Sequence, residues 1–260
     1  MKNIVLILLM VISNGIFAQD EADYFHEDSL KLNAFPGEYY FQKLSRGIGP
    51  DESWKGINKN GEISFYDDYL ADFFGDTLPI SIDSLGEIID CRIGAGDYHI
   101  LKAHDGWYLG TNRGEWGGSL FRMSNNFDQC ELICRPNVNQ LVECYGRVYL
   151  IEGLAHLSSS SGHILELQND LTIDTLLTLE AETPKHIVFN SQNEGYLLTD
   201  SRIYRINSNM DTISLYSNSL WPYLYPSNLL YKDDILYATM YGGIAMYSIK
   251  TKKLHWLTSE

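Results

Sequence analysis

ILKAHDGWY, residues 100–108, is the stretch on which the fold turns. It opens apolar, passes a polar turn and closes on tyrosine. The same window recurs as LVECYGRVY at 141–149, as IVFNSQNEGY at 187–196 with one extra residue (VFNSQNEGY as nine), and as LLYKDDILY at 229–237. Each closing residue, Tyr108, Tyr149, Tyr196 and Tyr237, leads into a short strand-like piece (LGT, LIE, LLT, ATM). A tyrosine that returns once per unit reads as structural. Each window is followed by apolar alternation, a polar turn and alternation again: SLFRMSNNFDQCELI, HILELQNDLTIDTLLTL, RIYRINSNMDTISLY and IAMYSIKTKKLHWLT. Turns rich in Asn, Asp, Ser and Lys between period-2 segments predict β-hairpins.

An earlier segment, PISIDSLGEIIDC from Pro79, fits the hairpin template, and INKNGEISF from Ile57 is a weaker partner for it. With Ile80, Leu120, Ile164, Ile203 and Ala245 as markers, the spacings are 40, 44, 39 and 42. A unit of about 40 residues holding four short strands cannot bury both faces alone, so neighbouring units must stack. That period is the signature of a β-propeller. The predicted fold class is therefore all-β, a propeller of five four-stranded blades. The even spacing speaks against a β-sandwich or an open run of sheets. On these repeats the chain resembles secreted, bacterial-type β-propeller repeat proteins over about Pro36 to Glu260, in architecture alone. It carries no WD dipeptide series and no kelch double-glycine series. Glu38–Leu44 is the candidate strand for closing the ring. The stretch from Tyr66 to Asp76 has helical apolar spacing and predicts a short helix or an irregular first blade.

Ahead of the repeats, Lys2 and the unbroken apolar run Ile4–Ile12 lead to Ala18, the pattern of a secretory signal peptide over residues 1–18. The run is too short for a membrane-spanning helix. The reading places the mature chain outside the cytoplasm, periplasmic or secreted. No transmembrane segment is expected in it. Residues 19–35 read as an acidic N-terminal arm, solvated and weakly periodic, and 36–260 as the propeller domain.

The whole chain has 19 Lys and Arg against 34 Asp and Glu, a net charge of −15. The acid is concentrated early, with 16 acids and 5 bases in residues 19–90. A nucleic-acid partner needs a cationic face, so no nucleic acid is expected. The same balance argues against anionic membranes.

In a propeller the loops joining second to third strands, and fourth to next first strands, share one rim. Three such loops are richer than a connection requires: GTNRGEWGGS, EGLAHLSSSSG and NSLWPYLYPSN. They offer Arg113, Glu115 and Trp116, then His156, then Trp221, Tyr223 and Tyr225. Tryptophan and tyrosine give flat apolar area with a polar edge, suited to sugar or peptide contact. Arg113 and Arg135 are placed to grip an anion bidentately. The predicted ligand-binding set is Arg113, Glu115, Trp116, Arg135, His156, Trp221 and Tyr223. Trp221 has a second reading, as packing between blades, and Arg113 with Glu115 a second reading as a rim ion pair.

No G-x-S-x-G, H-E-x-x-H, P-loop or dinucleotide fingerprint occurs, so no catalytic residue, metal or cofactor is assigned. Asp67, Asp68, Asp72 and Asp76 read as a solvated face rather than a calcium site. His156, His163 and His186 have no ligand spacing along the chain. Cys130 and Cys134 sit too far apart on one strand to bridge each other. Cys91, Cys130, Cys134 and Cys144 are read as small buried thiols. The expected function is non-catalytic binding of a ligand, protein, peptide or glycan on the rim. Five-bladed propellers include glycoside hydrolases, so the resemblance also implies a glycan-processing alternative. That alternative needs Glu143 with Asp97 or Glu115 in one cavity. A third reading is an envelope assembly component acting through the arm.

Overall fold

The computed structural model describes residues 25–26, 31–33, 54–59, 62–67, 97–156 and 159–258. The described chain is all-β. Three sheets each contain four antiparallel strands in sequence order. They are β5–β8 (Asp97–Ala103, Gly106–Asn112, Gly118–Met123, Cys130–Cys134), β9–β12 (Val138–Cys144, Arg147–His156, Ser159–Leu167, Ile173–Leu179) and β13–β16 (Pro184–Phe189, Gly195–Thr199, Arg202–Ile206, Thr212–Ser217). A fourth holds β17–β20 (Asn228–Lys232, Ile235–Met240, Gly243–Ser248, Lys253–Thr258), with β2 (Lys31–Asn33) added outside β20. The remaining sheet pairs β3 (Trp54–Lys59) with β4 (Glu62–Asp67), and β1 (Phe25–His26) with β4.

The windows and hairpins of the sequence are therefore strands. ILKAHDGWY is the β5–β6 hairpin, with Leu101 opposite Tyr108. The INKNGEISF segment is the β3–β4 hairpin. Two stretches of the segment read as an arm, Phe25–His26 and Lys31–Asn33, are strands, the latter registered as Leu32 opposite Leu257. The Pro79 hairpin, the Glu38–Leu44 strand and most of the Tyr66–Asp76 stretch lie outside the described residues.

Turn chemistry explains the hairpins. Cys144 pairs with Arg147 across Tyr145–Gly146, and Lys232 with Ile235 across Asp233–Asp234. All four turn residues have positive φ, the two-residue turn whose twist matches the flanking strands. The longer turns between third and fourth strands place Phe127, Leu171, Met210 and Lys252 in the left-handed region. None of those is glycine, so each carries a cost offset by the hydrogen bonds that close the turn.

Second strands are buried on both faces, which is why they read as unbroken apolar runs. In β14, Leu197 packs toward the preceding sheet with Tyr149, Ile151, Ile164 and Ile187, while Leu198 packs toward the following one with Ile203, Trp221, Leu229 and Leu236. The recurring tyrosines fill successive sheet-to-sheet interfaces. Tyr108 lies between the β5–β8 and β9–β12 sheets, Tyr149 between β9–β12 and β13–β16, Tyr196 between β13–β16 and β17–β20, and Tyr237 between β17–β20 and β3–β4. Two have their hydroxyls bonded to a carboxylate that also holds an arginine: Tyr108 to Asp105 with Arg122, and Tyr196 to Glu194 with Arg205. Burying each ring stabilises the stack by about 1.5–3 kcal/mol.

First strands pack side by side in the order β5, β9, β13, β17, β3. The start of every first strand and the turn between second and third strands therefore lie at one common end.

Candidate functional site

At that end, the β6–β7 connection is a short 3-10 turn, Gly114–Trp116. The Asn112 side chain starts it by accepting the Gly114 N–H at 2.8 Å. Gly114 and Gly117 have φ of 59° and 75°, conformations that glycine adopts without penalty. Arg113 folds back over its own turn and donates to the carbonyls of Gly117 and Trp116, both at 3.2 Å. Its guanidinium braces the loop. The result holds Trp116 out from the surface, 77% exposed. From the β8–β9 connection, Asn137 donates to the Gly114 carbonyl at 2.8 Å and ties the turn down.

The β10–β11 hairpin rises beside it. The serine-rich stretch read from sequence as a loop is mostly strand: β10 runs to His156 and β11 starts at Ser159. Polar residues on both faces near the tip hide its period. His156 Nε2 meets Glu115 Oε2 at 3.3 Å, so the hairpin and the Trp116 turn touch. Lower down, His163 bonds Glu152. Gly153 and Gly162 face each other there, and a Cβ on Gly162 would lie 2.3 Å from the Glu152 carbonyl and 2.6 Å from Pro184 Cδ. Glycine at this position lets the hairpin pass the next sheet. Ser160 then donates to Asp200 Oδ2 and contacts the Thr183 hydroxyl at 2.7 Å, while Asp200 Oδ1 is buried with no hydrogen-bond partner. Burial lowers the Lys185 pKa, and nearby Asp200 partly opposes that effect.

The start of β9 links three sheets through side-chain amides. Asn139 accepts from Asn112 at 2.6 Å and donates to the Pro184 carbonyl at 2.7 Å. Gln140 accepts the Ile187 N–H at 2.7 Å and donates to the Ile187 carbonyl at 3.1 Å. It also lies 3.0 Å from His186 Nε2, and Asn228 approaches the same nitrogen at 3.4 Å. His99, Gln140, His186 and Asn228 each precede the apolar residue that opens a repeat. One polar side chain thus comes from each of β5, β9, β13 and β17. Burial pushes His186 down to about 3, with His99 adding to the effect, and pushes His99 down to about 4, with the Lys55 charge of β3 adding to it. Both imidazoles are neutral at pH 7. Each residue is half-buried.

The structure brings Arg113, Glu115, Trp116 and His156 together. Arg135 lies on the β8–β9 connection, exposed and without an ion pair among the described residues. Tyr223 and Tyr225 are exposed on the β16–β17 connection, at 54% and 75%. Trp221 corrects the sequence reading: it is fully buried, 5.2 Å from Tyr216 between ring centroids, because the 3-10 turn Trp221–Leu224 tucks it between two sheets. It offers no contact surface. The cysteine reading is corrected as well. Cys134 and Cys144 are free, but Cys130 is disulfide-bonded to a partner outside the described residues. The carboxylate set required for glycan processing does not assemble: Glu143 is near the opposite end of β9, beside the Tyr145–Gly146 turn, about 17 Å of strand rise from Val138. Asp97 and Glu115 lie at the first end. Among the described residues no group of three or more His, Cys, Asp or Glu side chains is placed to hold a metal ion. No helix among them is long and apolar enough to cross a membrane.

No family model matches the chain, and no curated protein matches it in sequence. Similar solved structures include a catalytically inactive virginiamycin B lyase from Staphylococcus aureus with quinupristin, at 12% identity and TM-score 0.48, covering 92% of this chain and 74% of that one. A GH43 endo-arabinanase from Bacillus licheniformis matches at 13% identity and TM-score 0.40, over 62% of this chain and 79% of that one. A Bacteroides uniformis protein described as a 6-phosphogluconolactonase matches at 10% identity and TM-score 0.40, over 61% of this chain and 55% of that one. The chain thus spans about half the length of that last protein. At these identities and scores the similarities carry no argument about chemistry.

Proposed function

We propose that the chain is an extracytoplasmic β-propeller that binds a glycan or peptide partner on the rim carrying Trp116. The side-by-side order of first strands supports five blades around a central funnel, as does the Lys55 charge of β3 felt at His99 of β5. The signal-peptide pattern of residues 1–18 supports the compartment. The observation that carries binding is Trp116 itself. A large indole held 77% exposed by a braced turn, beside Glu115 and His156, is costly to leave in water and is pre-organised for contact. Arg135, Tyr223 and Tyr225 extend the same end with charge and aromatic area.

The test is a glycan and peptide array probed with residues 19–260, read together with product release by mass spectrometry. The expected result is binding without turnover, lost in Trp116→Ala. Equal binding by Trp116→Ala, with the fold intact, overturns the rim assignment. Turnover overturns the non-catalytic reading.

A further inference from the structure

A cleft of about 230 Å³ opens on the β13–β16 sheet at the end opposite the rim. Glu194, Arg205, Ile206, Asn207, Asp211 and Ile213 line it. Two turns of the same construction form its sides. In each, an asparagine side chain accepts the backbone N–H groups two and four residues on: Asn190 from Gln192 and Glu194, and Asn207 from Asn209 and Asp211. These turns fix where Glu194 and Asp211 stand. The cleft passes from the start of β14 across the end of β15 to the start of β16. It runs across the strands rather than along an edge, so it suits a small molecule better than an added strand. Its volume is below that of drug-sized pockets.

Opposite charges stand apart in the cleft. Glu194 is committed: Oε2 accepts from Tyr196 at 2.8 Å and from Asn190 at 3.3 Å, and Oε1 meets Arg205 Nη1 at 3.3 Å. Arg205 spends one of its five N–H groups there, and its side chain is 40% exposed. Asp211 accepts from Asn207 at 3.0 Å through Oδ2 and forms no ion pair among the described residues. Guanidinium and second carboxylate thus share the cleft without meeting.

The apolar wall is something the repeat does not require. Beside each recurring tyrosine, a third-strand residue faces one fourth-strand residue. The pairs are Arg122 with Glu131, Glu166 with Asp174, Met246 with His255, and here Arg205 with Ile213. Three units place a polar side chain on the fourth strand. This one places isoleucine, 53% exposed, beside the cleft.

The combination discriminates between ligand chemistries. A lone anion on Arg205 faces the carboxylates of Glu194 and Asp211. A lone cation on Asp211 faces the Arg205 guanidinium. A molecule carrying both charges answers both walls, and an aliphatic body covers Ile213. We propose that the cleft binds a free aliphatic α-amino acid, its carboxylate on Arg205, its ammonium on Asp211 and its side chain against Ile213. The site shares no residue with the rim and stands independently of the rim-binding reading.

The experiment uses residues 19–260 with ¹³C-methyl-labelled isoleucine, the Ile213 signal being assigned by its loss in Ile213→Glu. Leucine is titrated. Glycine, leucinamide and N-acetylleucine serve as probes lacking the aliphatic body, the carboxylate and the ammonium. The expected result is a saturable shift of the Ile213 methyl by leucine. Leucinamide and N-acetylleucine should bind at least about tenfold more weakly, a loss on the scale of one charge-assisted hydrogen bond. Leucine should lose at least about tenfold in affinity for Asp211→Asn, and glycine should bind more weakly than leucine. An Ile213 methyl unmoved by leucine, isoleucine and valine at millimolar concentration overturns the proposal. So does a smaller loss for either derivative or for Asp211→Asn, because one charge then suffices. Glycine binding as tightly as leucine overturns the part given to Ile213 and with it the ligand class.

Discussion

Gln140 closes a two-point amide clamp on Ile187, accepting its N–H and donating to its carbonyl from the neighbouring sheet. The clamp does what a backbone ladder does within a sheet, at a place where two sheets meet and no ladder exists. Gln140→Leu keeps the volume and leaves two backbone groups unpaired. It is expected to lower stability by about 1–3 kcal/mol, seen as a shifted urea midpoint with unchanged slope.

The two tryptophans of the rim connections should separate cleanly. Trp221→Ala removes a fully buried ring and is expected to cost about 3–5 kcal/mol. Trp116→Ala touches only the surface and should stay within about 0.5 kcal/mol of wild type. Thermal unfolding of both variants checks this. A large loss in Trp116→Ala would mean that the indole is packed.

Stability should fall with acid in a window set by His99 and His186. Their folded-state values, about 4 and about 3, lie below the ordinary 6.5. Between those limits the unfolded chain binds protons that the folded chain does not. The stabilisation is therefore full above pH 6.5 and declines as pH falls toward the folded values, by at most about 1.4 kcal/mol per pH unit for each ring. Urea midpoints from pH 8 to pH 4 should show this slope, and the double variant His99→Gln, His186→Gln should flatten it.

Lys252 occupies the left-handed region at φ 56° on an exposed turn, with its N–H bonded to Ser248. Glycine adopts that conformation without the Cβ penalty but gains freedom in the unfolded chain. Lys252→Gly is expected to stabilise by up to about 1 kcal/mol net, read as a raised melting temperature.

Thiol reactivity should divide the cysteines. Burial, with Glu152 adding to it, pushes Cys134 up to about 11, and burial raises Cys144. Iodoacetamide at pH 8 should therefore modify both slowly in the folded protein and rapidly in urea. Cys130 should react only after reduction. Peptide mapping with and without reductant distinguishes the three.

The hairpins were legible because alternation and turn residues coincide: Leu120–Met123 and Cys130–Cys134 announce themselves around SNNFD. Trp116 and Trp221 were not separable by type. Only the 3-10 turn that tucks Trp221 inward decides its burial, and that depends on the neighbouring sheet. The tip of β10–β11 was hidden because Ser159, Ser160 and Ser161 carry no apolar period, although they pair with His156, Ala155 and Leu154. The row of polar residues near the start of the first strands was hidden for a different reason. His99, Gln140, His186 and Asn228 share a position in the repeat but no chemistry, so comparison of residue types passes over them. The one available signal was the place before Ile100, Leu141, Ile187 and Leu229. Cys130 was misread because a spacing argument along one strand excludes Cys134 as partner and says nothing of cysteines remote in the chain.

The pairing of Lys31–Asn33 with the edge of β20 has a consequence for how the molecule is made. The strand at residues 31–33 must wait for residues 256–258 to be synthesised before it gains its neighbour. Until then the outer edge of β20 has no strand to form against. Vectorial emergence from a ribosome or a translocation pore therefore yields a stack of finished hairpins before this seam closes. A proteolytic nick that removes β20 would release the 31–33 strand with it.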